Sequence, residues 1–231
     1  MQGTRGKNKG TTPMTPSTPP PPTQPKAAAP TNAPDPYHAV IDDPALPRVL
    51  LIGDSISIGY TIPVQNALAG KANVHRIPEN GGDTRRGLAK LSDWLGSGKW
   101  AVIHFNFGLH DLKHIKADKL DMTGDQVMTP ETYQANLDRL VEALKKTGAA
   151  LIWGATTPVP EGADGRLKGD DVIFNAAALA VMRKHGIRVN DLYAAVLPGL
   201  AQYQQPRNVH FNAAGYAFLG AKVAAAIQAA L

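Results

Sequence analysis

The chain contains no cysteine, so disulfides, thiolate metal sites and cysteine nucleophiles are excluded. Aromatic residues make up only 6% of it, and no basic stripe interleaved with aromatics runs through the sequence, which argues against a nucleic-acid partner. No apolar run approaches the roughly 20 residues of a membrane-spanning helix, so no membrane span is expected. The N-terminus also lacks the apolar stretch of a secretory signal. Only Gly53 and Gly59 follow the first strand-like run, with no Walker lysine, and a nucleotide-cofactor motif is missing. His110 and His114 stand four apart, but Asp111 follows the first of them where a zincin helix has glutamate, and no third ligand follows. Neither a metal nor any other cofactor is expected.

What is present suits a folded domain. The chain has 231 residues, of which 43% are apolar and 19% charged, enough for one domain with a full core. The net charge of +5 is uneven: Arg5, Lys7, Lys9 and Lys26 against Asp35 give the first 36 residues +3, leaving +2 for the rest. Residues 1–36 are low in complexity, with Pro19-Pro20-Pro21-Pro22 and Ala27-Ala28-Ala29-Pro30. Such a segment cannot bury enough apolar surface to offset its ordering entropy. It reads as a disordered Pro/Thr-rich tail or linker of the kind that tethers secreted or envelope domains, and residues 37–231 read as the folded domain.

From Pro47 onward the pattern alternates. Apolar, β-branched runs occur at 48–52, 73–77, 100–106, 149–154 and 187–190, with helical patterns near 57–69, 85–96, 130–147, 171–185 and 213–230. Thr129-Pro130 forms an N-cap and N1 pair, and Asn212 can cap the last helix. Strands alternating with helices imply a parallel sheet covered on both faces, with ligands bound beyond the carboxyl ends of the strands. The polar, aperiodic segment 114–129 reads as a surface insertion beside that edge. Tyr60, Trp100, Phe107 and Trp153 read as core or pocket wall.

Four short segments fall at those strand ends or just before the last helix. Gly53-Asp54-Ser55 puts a hydroxyl at the end of a strand and the start of a helix, where backbone dipoles favour a developing alkoxide. Asn80-Gly81-Gly82-Asp83-Thr84 can present a backbone N–H to the pocket. Phe107-Gly108-Leu109-His110-Asp111 adds a side-chain donor, and Asn208-Val209-His210 supplies an imidazole. Serine and histidine at opposite ends of one α/β domain are the minimum set for nucleophilic acyl transfer.

In order and spacing these segments resemble the blocks of the SGNH (GDSL-type) hydrolase superfamily, from Arg48 to about Ala230. They are most similar to bacterial members that read G-L-H-D where others read G-x-N-D. The resemblance implies a flavodoxin-like, three-layer α/β/α sandwich on a five-stranded parallel sheet. It makes Ser55 the nucleophile and His210 its base, with the Ser55 and Gly82 amides and His110 as oxyanion donors. Asp54 and Asp111 take supporting roles. One position departs from the pattern more seriously: Arg207 stands where the family has the aspartate that orients the histidine, and arginine cannot accept a hydrogen bond. Three substitutes are open: a main-chain carbonyl, which is the first expectation, the Asn208 side chain, or Asp191 after the fifth strand.

The activity implied is ester hydrolysis on a small-molecule or glycan substrate, with a short O-acyl group such as acetyl as the first expectation. Lipid or aryl esters are the neighbouring reading. A glycan- or acyl-binding module without turnover, and an acyltransferase, are the rivals from other classes.

Overall fold

The computed structural model describes Met1, Gly3 and Asp35–Leu231. The tail read over residues 1–36 lies almost wholly outside the described residues. Along the chain come β1 (Arg48–Ile52), α1 (Ser55–Ala67), β2 (Asn73–Arg76), α2 (Thr84–Leu95) and β3 (Val102–Phe105). Three short strands follow: β4 (His114–Lys116), β5 (Lys119–Leu120) and β6 (Asp125–Gln126). The chain continues with α3 (Pro130–Lys145), β7 (Ala150–Gly154), α4 (Asp170–His185), β8 (Arg188–Asn190), α5 (Leu192–Val196), α6 (Leu200–Tyr203) and α7 (Ala213–Gln228).

Five strands pair in parallel in the order β2-β1-β3-β7-β8. This is the flavodoxin-like order, whose direction of winding reverses between β1 and β3. Val49, Leu51, Val102, Phe105, Ile152 and Trp153 are fully buried, because a strand covered on both faces must be apolar throughout. Helices α1 and α7 pack together over one face, and α2, α3 and α4 pack in sequence over the other. The apolar stripe of α7 holds Leu219, Val223 and Ile227 with no exposure. Caps form where the sequence places them: Thr129 Oγ1 accepts from Thr132 N–H at 3.2 Å, and Asn212 Oδ1 accepts from Gly215 N–H at 2.9 Å.

The approach of α1 to α7 depends on two glycines. A methyl group at Gly59 would overlap the Tyr216 ring, and one at Gly220 would overlap the Pro63 side chain. Without side chains at those points the helices come close enough for residues just before them to share a site.

Two stretches differ from the sequence reading. The insertion at 114–129 is not irregular but folds into a three-stranded antiparallel sheet, β5-β4-β6. Its tightest turn places Ala117 and Asp118 at φ 47° and 62°. That is a type I′ hairpin turn built without glycine or asparagine, so its sequence gives no hairpin signal. The segment after β8 forms the short helices α5 and α6, too brief for a periodicity to be read.

Candidate active site

Residue 55 becomes available because the chain turns sharply at the end of β1. A side chain on Gly53 would stand 2.9 Å from Ser57 Cβ, so only glycine permits the close turn. Asp54, 1% exposed, caps α1 by accepting from Ile56 N–H at 2.9 Å. Ser55 is then the first helical residue, and its own N–H is one of the donors a helix start leaves unpaired. It finds no acceptor among the described residues. Arg76 at the end of β2 clamps the turn from below, donating to Ser57 Oγ at 2.9 Å and to the carbonyls of Gly53 (3.3 Å) and Glu79 (3.1 Å). Arg76 was not singled out in the sequence. Its one signal there is a charged residue at the end of a short strand.

The segment before α7 carries His210. His210 Nε2 lies 2.8 Å from Ser55 Oγ, and His210 Nδ1 lies 2.7 Å from Asn208 Oδ1. The Asn208 side chain also receives the His210 backbone N–H at 3.0 Å. A backbone N–H can only donate, so the atom it meets must be the amide oxygen, and the same oxygen must then accept from Nδ1. This defines the tautomer: Nδ1 carries the proton, and Nε2 is free to take one from the serine. The segment is held by neighbouring amides, with Gln205 N–H donating to His210 O at 2.9 Å and Gln204 Nε2 to Pro158 O at 2.6 Å.

Of the three substitutes open for the missing aspartate, the structure places the Asn208 side chain on Nδ1. The main-chain carbonyl expected first does not hold that position. Asp191 is a further correction. Its carboxylate caps α5, accepting from Ala194 N–H at 2.9 Å, and it lines a separate apolar cavity of about 230 Å³ beside Trp153 and Tyr193. Arg207 has φ 56°, a left-handed conformation that turns the chain so that Asn208 folds back in an Asx turn. The acceptor has moved one residue along from the family position, which pattern reading at fixed spacing cannot see.

The candidate oxyanion donors differ among themselves. Ser55 N–H is unpaired, as above. Gly82, at φ 64°, donates its N–H to Asn80 Oδ1 at 2.9 Å. It is therefore not a free donor here, because the short Asn80 side chain reaches its own i+2 amide. His110 Nδ1 lies 3.3 Å from Lys113 Nζ. An ammonium can only donate, so Nδ1 accepts and Nε2 carries the hydrogen of the neutral ring. Burial pushes the His110 pKa down, and the Lys113 and Arg166 cations add to this against the opposing pull of Asp54, which favours that neutral donor form. His114, the other half of the candidate histidine pair, turns to Gly124 O at 3.1 Å.

Asp111 supports from beneath. Its Oδ1 accepts from Thr84 N–H at 2.9 Å and Thr84 Oγ–H at 2.6 Å, tying the start of α2 to the loop after β3. Burial pushes its pKa up to about 7, against the lowering effect of the Thr84 bonds. Beside His210 opens a cavity of about 140 Å³ lined by Arg166, Arg207, Asn208, Asp164 and Leu120. Leu120 belongs to β5, so the insertion supplies one wall.

A hydroxyl and an imidazole in contact at a helix start, on this fold, define the class of carboxylic ester hydrolases. A model of the GDSL-like lipase/acylhydrolase family matches residues 51–218, and the chain belongs to that family. Among solved structures, an acetyl xylan esterase, AlAXEase, is similar at 18% identity and TM-score 0.64, covering 78% of this chain and 99% of its own. A lipase/acylhydrolase from Enterococcus faecalis is 23% identical with TM-score 0.63, covering 79% and 96%. Axe2, an acetylxylan esterase from Geobacillus stearothermophilus, is 17% identical with TM-score 0.64, covering 77% and 92%. No protein of curated function matches the chain. No helix among the described residues is long and apolar enough to cross a membrane.

Proposed function

We propose that Ser55 is the nucleophile and His210 its general base in hydrolysis of a short O-acyl ester, with acetyl on a carbohydrate as the preferred substrate class. The single observation that carries this reading is the relay Ser55 Oγ–His210 Nε2 at 2.8 Å and His210 Nδ1–Asn208 Oδ1 at 2.7 Å. Ser55 Oγ attacks the ester carbonyl as its proton passes to Nε2. The imidazolium, steadied by Asn208, returns that proton to the departing alcohol. Water then attacks the acyl-serine by the same route and restores the serine. Ser55 N–H and His110 Nε2–H stabilise the oxyanion, and Gly82 N–H joins them when Asn80 releases it. The acetyl preference is supported by the two acetylxylan esterases of similar fold. The lipase/acylhydrolase of similar fold keeps lipid esters as the second reading.

The test is Ser55→Ala against 4-nitrophenyl acetate and acetylated xylo-oligosaccharide, with fluorophosphonate labelling of the wild type. The expected result is loss of turnover in the variant and a label on Ser55. Unchanged turnover in the variant sinks the nucleophile assignment. An unlabelled and inactive wild type points to a binding module, whose structural support is the engaged Gly82 amide.

A further inference from the structure

The cavity beside His210 has an unusual charge distribution. Arg166 is half-buried and lines it. Its Nε–H donates to Leu109 O at 2.9 Å and its Nη1 to Asp164 O at 3.3 Å, leaving Nη2 without a partner among the described residues. Arg207 lines the same cavity and makes no hydrogen bond there. Lys113, also half-buried, has only the His110 ring as its partner. None of the ion pairs among the described residues involves Lys113, Arg166 or Arg207. Asp54 and Asp164 act on the Arg166 charge, and Asp83 and Asp111 on that of Lys113, but none of them forms an ion pair with it. Asp83 is taken by Arg85 at 3.0 Å, Asp111 by Thr84 at 2.6 Å, Asp54 is buried as the cap of α1 above Arg76, and Asp164 lies on the rim. Half-buried cations without a counter-ion are costly unless something negative joins them.

The direction of the chemistry says which half of the substrate reaches this cavity. The imidazole that takes the serine proton gives it to the leaving alcohol, so the alcohol half must lie on the His210 side. The cavity shares His210 and Asn208 with the relay, and so it receives the alcohol half.

We propose, resting on the Ser55–His210 reading above, that the alcohol half of the ester carries a carboxylate, held by Arg166 and Arg207 in the cavity beside His210. An acidic sugar of the uronic type, acylated on a hydroxyl, has this chemistry, as does any hydroxy-acid ester with its carboxylate a few ångströms from the ester oxygen.

The test compares 4-acetoxybenzoate with 4-acetoxybenzamide, which share an acetyl group and differ in charge on the alcohol half. Each kcat/KM is divided by that ester's own hydroxide rate. The expected ratio is about tenfold in favour of the anion at low salt, the scale of a partly screened pair of charges, and it falls toward one in molar salt. In Arg166→Gln and in Arg207→Gln the ratio drops severalfold. Because each ratio is taken within one protein, a general loss of activity cancels, and exposed Arg207 can be removed without opening the core. Mono-(4-nitrophenyl) succinate against 4-nitrophenyl butyrate places the charge on the acyl half instead, and a preference appearing only there overturns the assignment of sides. Calorimetric binding of both benzoyl probes to the Ser55→Ala protein reads the anion site without turnover, so a failed esterase assignment and a failed anion site give different results. Equal binding and equal turnover of the two probes, or a preference untouched by both arginine variants, overturns the proposal.

Discussion

Replacing Asn208 with alanine removes one oxygen that accepts two hydrogen bonds, from His210 Nδ1 at 2.7 Å and from His210 N–H at 3.0 Å. In the resting site the lost bond to Nδ1 is neutral and worth about 1 kcal/mol net; in the transition state the donor is an imidazolium, and such bonds are worth roughly 1.5–3 kcal/mol. Asn208 is exposed, so water can replace part of what is lost, and the lower part of that range applies. The difference, about 0.5–1 kcal/mol, corresponds to a roughly two- to fivefold fall in kcat/KM. This is far less than the roughly 10⁴-fold effect of neutralising a buried triad aspartate, because the acceptor here is uncharged and wet from the start. Asn208→Asp keeps the reach and adds charge beneath the imidazolium, and an exposed pair of this kind adds up to about 1 kcal/mol, or up to about fivefold in rate. The assay is 4-nitrophenyl acetate hydrolysis, read as kcat/KM, with thermal melts to show that both variants are folded. Asn208→Ala indistinguishable from the wild type, in a protein that melts normally, would refute the argument that this amide orients the base.

Three other outcomes follow from the packing. Asp111 has its folded pKa raised to about 7 by burial, above its unfolded value, so its contribution to stability is full below pH 4 and is lost as pH rises through 7. Asp111→Asn, which mimics the protonated acid, should remove up to roughly 4 kcal/mol of that decline; urea titrations at pH 4.5 and 8 check it, and parallel pH slopes for the two proteins would count against it. Gly59→Ala forces a methyl group against Tyr216 and should cost about 1–3 kcal/mol, with kcat falling and KM little changed as α1 and α7 separate. The double change Ala117→Asn, Asp118→Gly relieves two left-handed residues in the β4–β5 turn. It should stabilise by about 1 kcal/mol, raising Tm by about 2–4 °C in calorimetry.

The parallel sheet was readable because a strand buried on both faces needs an unbroken apolar run, and such runs stand out at 48–52 and 149–154. Helix starts were readable because capping is local: Thr129 and Asn212 each satisfy an N–H three residues away. The insertion was not, since its pairing joins strands only two or three residues long and its turn uses residues that usually avoid positive φ. Arg76 escaped notice for a related reason. Its three acceptors lie on the Gly53 turn, on Glu79 and on α1, and nothing in the local sequence requires them to converge.

The amino-acid sequence by itself determined the α/β order of elements, the family and the candidate residues of the site, because periodicity, capping and short motifs depend on neighbours along the chain. Only the tertiary structure decided how those residues act together. The contact of Ser55 with His210 spans 155 positions and depends on two helices closing over glycines. The orienting acceptor is Asn208 instead of a residue at the family spacing because a left-handed Arg207 turns the chain, and the Gly82 amide is engaged because Asn80 folds back upon it. Hydrogen bonds are made or missed within fractions of an ångström, and that distance is set by packing across the whole domain.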